Sequence, residues 1–351
     1  MESPEAIFGE YTYFSSYSTT WLEHVRTYAD MAVAKFKLSS KSLVLEVASN
    51  DGCLLKCFAD RGVRVLGIEP AKNVAAWAIE SGIPTIADFF GVRLAKELAR
   101  DDRRADLIVA NNVLAHVPLL DDFVKGMALA LRPSGTATFE FPHLLRLIER
   151  GEFDTIYHEH LSYFSLSSAK RVLVAFGLSV VDVEELAVHG GSLRVYAMHA
   201  ATAEQPDRRV EELLQAEKRA GLSTLTPYRQ FGAKAKRVKR DLLEFVRSAK
   251  RAGKHIVGYG APAKAVTLLN YCGLGSDVVE YTADRSPHKQ GKYLPGVRVP
   301  IVAPEKIYDT KPDFVLVFPW NIKDEIMEQM KDVRSWGGRF VVAIPELMVT
   351  P

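Results

Sequence analysis

Through its first two hundred residues the chain alternates short apolar runs with segments of helical periodicity. Strand-length runs separated by helices predict an α/β domain with a mostly parallel sheet. The runs place strands at Ser42–Val47, Arg64–Glu69, Pro84–Asp88, Leu107–Asn111, Thr136–Phe141, Ser179–Val183 and Ser192–His199, the last two forming a β–turn–β unit. Helical patterns fall between them, among others at Cys53–Arg61, Asn73–Ser81 and Asp121–Leu131.

The alternation stops near Ala203, and residues 203–250 are rich in Lys, Arg, Glu and Gln with apolar residues at helical spacing. Two linking helices are expected there. The basic run Lys234–Arg240 reads as a solvated helix face, because acids interleave on either side. Alternation then resumes, with strands expected at His255–Gly258, Val278–Ala283, Asp313–Phe318 and Phe340–Ile344 and a helix at Ala263–Leu269. A chain of 351 residues has length for two cores. The expected division is 1–202, a linker 203–250, and a smaller domain 251–351.

Composition narrows the function. A net charge of +2 gives no electrostatic reason for a nucleic-acid partner. No stretch approaches the roughly 20 apolar residues that span a bilayer. The opening MESPEAIFGEYTYFSSYS lacks a basic start followed by an apolar run, so a cytoplasmic protein without a signal peptide is expected. The three cysteines, Cys53, Cys57 and Cys272, argue against a disulfide scaffold. Cys53 and Cys57 read as buried thiols, since no second pair at zinc-site spacing accompanies them.

One constellation follows successive strands. LVLEVASNDGCLL runs strand, turn, helix, and ligands of open α/β sheets sit at such strand ends. Ala48 and Gly52 let backbone approach a ligand, Asn50 shapes a tight turn, and Glu46 suits a cationic amino-acid ligand better than a pyrophosphate. Glu69, followed by Pro70, has two oxygens for the hydroxyls of a ribose. Asp88 and Phe89 offer an adenine an acceptor and a stacking face, and Asn111, Asn112 and His116 follow the fourth strand. A second constellation is TIYHEHLSYFS, holding Tyr157, His158, Glu159 and His160. Alternate spacing cannot bring both histidines and the carboxylate onto one metal, whereas a histidine oriented by a carboxylate is a competent base. Near the N-terminus, Tyr11, Tyr13, Ser15, Ser16 and Tyr17 read as a cover over the cofactor. Glu140, Pro142 and His143 stand at the cleft mouth, with His189 and Arg194 as further substrate candidates.

With these segments placed, the chain resembles the nucleotide-sugar 3-C-methyltransferases of branched deoxysugar biosynthesis. The likeness is carried by YFSSYS, LEVASNDG, NNVLAHV, FEFP, FDTIYHEHLSYFS, HGGSLRVY, GYGAPAKA and FPWN, in the family's order along nearly the whole chain. Relatives typically begin with a four-cysteine zinc-binding domain that this sequence does not match. The resemblance implies a Class I methyltransferase seven-stranded sheet plus a smaller C-terminal Rossmann-like α/β domain. It implies S-adenosyl-L-methionine as cofactor, S-adenosyl-L-homocysteine as product and no metal. It also implies a nucleotide-linked, TDP-type 4-keto-deoxysugar methylated at C3 through an enolate by a monomer or homodimer. By motif, His160 would be the base, oriented by Glu159, with His158 as a rival; Tyr157 and Tyr11 would serve the enolate oxygen. Another small-molecule methylation on the same scaffold is the alternative.

IVGYGAPAKAV satisfies G-x-G-x-x-A between a strand and a helix, and about two dozen residues on stands Asp284. Alone, that pattern suggests a dinucleotide, but a helix N-terminus serves any diphosphate. The resemblance makes Gly260, Lys264, Ser286, Lys289 and Trp320 candidates for holding the sugar nucleotide.

Overall fold

The computed structural model describes residues 8, 9, 11 and 14–351, which pack into two compact units. The first runs to Leu144 and resumes over Leu161–Ala220; the second comprises Leu145–His160 and Gly221–Pro351. The chain therefore leaves the first unit, contributes sixteen residues to the second, and returns.

In the first unit the described residues form one sheet from β1 (Leu43–Val47), β2 (Arg64–Ile68), β3 (Thr85–Ile86), β4 (Ala105–Asn111), β5 (Leu131–Pro142), β6 (Leu178–Leu186) and β7 (Ser192–His199). Its order is β3-β2-β1-β4-β5-β7-β6, with β7 antiparallel to both neighbours and the other pairs parallel. Val44, Leu45, Ile108 and Val109 are fully buried because helices cover both faces. Strand order reverses between β1 and β4, so the loops leaving β1, β2 and β4 open on one crevice. The helix Thr19–Lys35 starts where the Ser18 side chain accepts the Trp21 amide.

Several boundaries differ from the sequence reading. The strand expected at Pro84–Asp88 shrinks to Thr85–Ile86, and Asp88 instead accepts its neighbour's amide and an arginine. β5 begins at Leu131, ahead of Pro133 and Gly135, and a register shift against β4 accommodates that start.

The second unit carries β8 (Ile256–Tyr259), β9 (Thr282–Ala283), β10 (Ile301–Val302), β11 (Phe314–Val317), β12 (Arg339–Val342) and β13 (Met348–Thr350), in the order β10-β9-β8-β11-β12-β13. Only β13 is antiparallel. The strand expected over Val278–Ala283 is confined to its last two residues; Val279 reaches the core from a turn. The expected linking helices are Arg208–Arg219 and Thr226–Arg251. Val210 and Leu213 of the first join the first core, whereas Leu242 and Val246 of the second join the other. Within the basic run, Lys234 Nζ donates to the carbonyls of Ile148 and Glu149. That ammonium satisfies acceptors at the end of the helix Leu144–Arg150. Phe153 belongs to the second unit's core and packs against Tyr271.

His143 and Glu217 form a buried pair in the first unit, 2.8 Å apart. Glu217 also accepts the amides of Leu166 and Ser167, at the start of the helix Leu166–Ala175. Burial pushes the Glu217 carboxyl upward, but the bonds from His143 and those amides outweigh it and hold it below the usual carboxylate range. Glu217→Ala would strand His143 and two amides and should cost about 3–5 kcal/mol in denaturant unfolding. Because the folded value is depressed, the contribution is complete above the ordinary carboxylate range and fades as pH falls through the lower folded value. The difference between variant and wild type should therefore shrink in acid.

Candidate functional site

The first crevice is built from backbone bends that most residues avoid. Ala48 (φ 53°) and Asn50 (φ 50°) follow β1, Asn112 (φ 55°) follows β4, and His189 (φ 55°) sits in the β6–β7 turn. Non-glycine residues in the left-handed region cluster at functional loops, where surrounding bonds over-determine them. At Gly52 (φ 76°) a Cβ would also meet Ile83 at 3.1 Å. These bends aim side chains into the crevice. Glu46 Oε2, Ser49 Oγ, Asp51 Oδ1 and both amide atoms of Asn111 are buried and lack hydrogen-bond partners among the described residues.

Three acids meet here: Glu46, Asp51 and Glu69, exposed by 7%, 5% and 5%. Burial, then Asp51 and Glu69, push the Glu46 carboxyl well above the usual range, and burial also raises Glu69. The charges acting on Glu46 are thus both negative. Buried anions without counter-cations are costly, so the crevice is electrostatically suited to a cationic guest. A molecule bearing an ammonium and a sulfonium meets that need, and unpartnered Asn111 can serve its polar groups. Glu69 already accepts the amides of Asn50 and Ala71, one on each oxygen, leaving a lone pair on each for hydroxyls. Pro70 is half-buried beside it. Asp88 is held by Arg93, and Phe89 is half-buried.

The N-terminal segment lies over these loops. Ser15 and Ser16 donate backbone amides to Asn50 Oδ1 and Asp51 Oδ2, both at 2.9 Å. Tyr11 exchanges backbone bonds with Asn73 and packs on Phe14, Ala71 and Val74. Phe8 packs edge-on to His116. Tyr17 is 45% exposed, and Tyr13 lies outside the described residues.

Glu140 is fully buried, with His24 Nε2 at 2.9 and 3.0 Å from its two oxygens and Arg194 donating at 2.6 Å. Burial opposes its ionisation, but His24, Arg194 and His189 lower the carboxyl below its usual value. The Arg194 guanidinium stacks 4.2 Å from the Tyr28 ring centre. Trp21 packs against both His24 and His189, and Asn112 Nδ2 lies 3.4 Å from His189 Nε2. His24 was not anticipated, because nothing in TTWLEHVR marks one face of that helix as facing Glu140. Pro142 pairs with Ser192 at the strand end, and His143 is committed to Glu217.

In the second unit, His160 Nδ1 lies 2.7 Å from the Thr155 carbonyl, which can only accept, so Nδ1 carries the proton. Nε2 is then the lone-pair nitrogen and accepts from the Tyr157 hydroxyl at 3.0 Å. Burial, followed by the charge of Lys264, lowers the imidazole pKa against the opposing Thr155 bond. The partner at Nδ1 is therefore a main-chain carbonyl and not the Glu159 expected to orient the ring, because the tight turn folds residue 155 back under residue 160. Glu159 is half-buried and His158 exposed. After His160 the chain re-enters the first unit, where the Leu161 and Ser162 amides donate to Ala115 O.

Trp320 Nε1 donates to Asp154 at 2.8 Å, and Lys264 Nζ lies 4.0 Å over the Trp320 ring while donating to Asn321. Both oxygens of Asp284 accept main-chain amides, from Ala261 and Ser286, and Lys289 donates to the Ala261 carbonyl. A Cβ on Gly260 would meet Pro319 at 2.5 Å. The glycine fingerprint is thus spent on packing and on bracing its own loop. Ser286 Oγ is buried without a partner among the described residues. Among those residues no cluster of three or more His, Cys, Asp or Glu could hold a metal, and no helix is long and apolar enough to cross a membrane.

A sheet of this topology with an acid-lined crevice at its strand reversal defines a Class I methyltransferase. Residues 21–183 match the family described as "Methyltransferase domain", and residues 187–345 match the "C-methyltransferase C-terminal domain". C-methyltransferase NovU of Streptomyces niveus is 38% identical over 343 residues, spanning 98% of this chain and 82% of its own. The chain belongs to the S-adenosylmethionine-dependent C-methyltransferase family. A ubiquinone biosynthesis O-methyltransferase of Rhizobium etli is 26% identical over 50% of this chain and 76% of its own. The magnesium protoporphyrin IX methyltransferase of Synechocystis with bound SAH is 14% identical, covering 51% of this chain and 83% of its own at a TM-score of 0.41.

If the acid trio balances the cofactor's positive charge, Glu69→Gln should weaken S-adenosylmethionine binding about tenfold or more in calorimetry. S-adenosylhomocysteine, whose thioether sulfur carries no positive charge, should lose less. Equal losses for both ligands would count against the charge argument.

Proposed function

We propose that this enzyme adds a methyl group to the ring carbon beside the ketone of a nucleotide-linked 4-keto-deoxysugar, at C3 and with TDP as the nucleotide. The reading is carried by one observation: His160 is held neutral, its Nδ1 proton fixed on Thr155 O and its Nε2 lone pair turned to the Tyr157 hydroxyl. A neutral imidazole with a fixed tautomer is a ready base for a carbon acid. Residues 1–202 supply the methyl-donor half, 203–250 link, and 251–351 contribute to holding the sugar nucleotide.

In this reading His160 Nε2 takes the C3 proton, and the C–H electron pair becomes the enolate. Tyr157, whose hydroxyl already sits at Nε2, donates to the enolate oxygen, and Tyr11 is a second donor for it. S-adenosylmethionine supplies an electrophilic methyl on sulfur. The new bond forms from C3 to that methyl, the carbon–sulfur bond breaks, and the ketone returns. Donors preset at an oxygen that gains charge lower the barrier most in a water-poor site. Glu46, Asn50, Glu69 and Asn111 hold the donor, while Glu140 and Arg194 shape the cleft near the acceptor. Glu159 is then a neighbour that tunes the loop.

Incubation with a TDP-4-keto-deoxysugar deuterated at C3 should give a product heavier by one methyl and lacking the deuterium. Methylation with the deuterium retained would move the chemistry to another atom. His160→Ala should abolish turnover while S-adenosylhomocysteine still binds. Since burial lowers His160 below the ordinary 6.5, kcat/KM should hold through neutral pH and fall only in more acidic buffer, as the base becomes protonated.

A further inference from the structure

The loop that carries His160 contains groups the proposed chemistry leaves unused. Glu152 and Asp154 are 2% and 1% exposed, and Glu152 Oε1 and Asp154 Oδ1 lack hydrogen-bond partners among the described residues. Asp154 Oδ2 accepts from Trp320 Nε1, across 166 positions of sequence. Lys264, on the first turn of the helix Ala263–Cys272, sets its ammonium 4.0 Å over the same indole and 2.8 Å from Asn321 Oδ1. From the same helix Thr267 Oγ1 donates to Ile156 O. Thr155, whose carbonyl fixes His160, in turn bonds through its hydroxyl to Glu152 O.

Every one of these residues lies in the second unit, and together they connect its sheet to the base. We propose that Lys264, Trp320 and Asp154 form a strut that positions the His160–Tyr157 pair, so that Lys264 acts on the base and not on the substrate. The proposal rests on the reading of His160 as the base. Trp320 has one N–H, and it is spent on Asp154, which leaves it nothing for a sugar nucleotide; the Lys264 ammonium, held over the indole, commits one of its donors to Asn321. The ammonium is the charge that lowers His160, and it also draws down Glu152 and Asp154, which burial has raised to about 8 and about 6. Other ionisable groups near the ring are Tyr157, in contact with it, and the adjoining His158 and Glu159. A cation over an aromatic face is favourable when desolvated, so the strut can hold the charge in place.

The test uses the full chain with ¹⁵N-labelled histidine, assigning His160 by comparison with His160→Gln. Lys264→Met should raise the protonation midpoint of His160, and Lys264→Arg should keep it near wild type. Trp320→Phe should let the ring nitrogens average between tautomers. Its kcat should fall about hundredfold, the scale of a small misplacement of a catalytic group, with KM for a TDP-4-keto-deoxysugar within about twofold. An unchanged midpoint in Lys264→Met overturns the proposal, as does a Trp320→Phe enzyme with raised KM and wild-type kcat. The Lys264 pair decides even where Trp320→Phe fails to fold. His160→Ala separates the two readings. If it turns over at the wild-type rate, the base assignment falls; if it is dead while the Lys264 titrations match wild type, only the strut falls.

Discussion

Three carboxylates packed behind one tight turn repel one another, and much of the first unit can be understood as the means of keeping them there. Water would stabilise Glu46, Asp51 and Glu69 far better than this interior does. The fold keeps them by backbone constraint: Ala48 and Asn50 adopt unfavourable bends, and main-chain amides of Asn50, Ala71 and Ser16 point at the acids. The result is a preorganised negative field that awaits a positive guest. If the methyl donor sits there, its cationic reactive group gains affinity from that field, and once the charge is lost the field favours the spent product less strongly.

The second unit treats the buried imidazole of His160 in the opposite way, by holding it neutral. The Thr155 carbonyl fixes which nitrogen bears hydrogen, and burial with a nearby ammonium disfavours a second proton. The two units thus carry opposite electrostatics: buried anions in the first, and an uncharged imidazole in the second. On the proposed reading this suits a carbon acid, whose proton is not lost readily to a solvated base.

Much of this was legible in the sequence. Glu46, Glu69 and Asn111 stand at or just past the ends of strands that reveal themselves as apolar runs, so strand order alone brought them to one crevice. The density of TIYHEHLSYFS drew attention to the segment in which Tyr157 and His160 pair. Three kinds of feature stayed hidden. A main-chain acceptor such as Thr155 O has no residue signature, so the carboxylate next door was credited with its work. Partners distant in sequence, as Asp154 with Trp320 or His24 with Glu140, depend on tertiary geometry that no periodicity encodes. The glycine fingerprint around Gly260 is a third: its pattern is satisfied, but Asp284 and Pro319 turn it to packing. Strand ends failed for a simpler reason, since Val279 is buried in a turn and its apolarity looks like a strand's.

The sixteen residues from Leu145 to His160 interrupt the first unit and count with the second. A compact body assembled from two separated stretches cannot be shortened away or exchanged by a single cut. Recombining the C-terminal portion of one relative with the N-terminal portion of another would leave Trp320 and Lys264 facing a foreign loop. A swap of the second unit between relatives must therefore carry the internal stretch along with the tail.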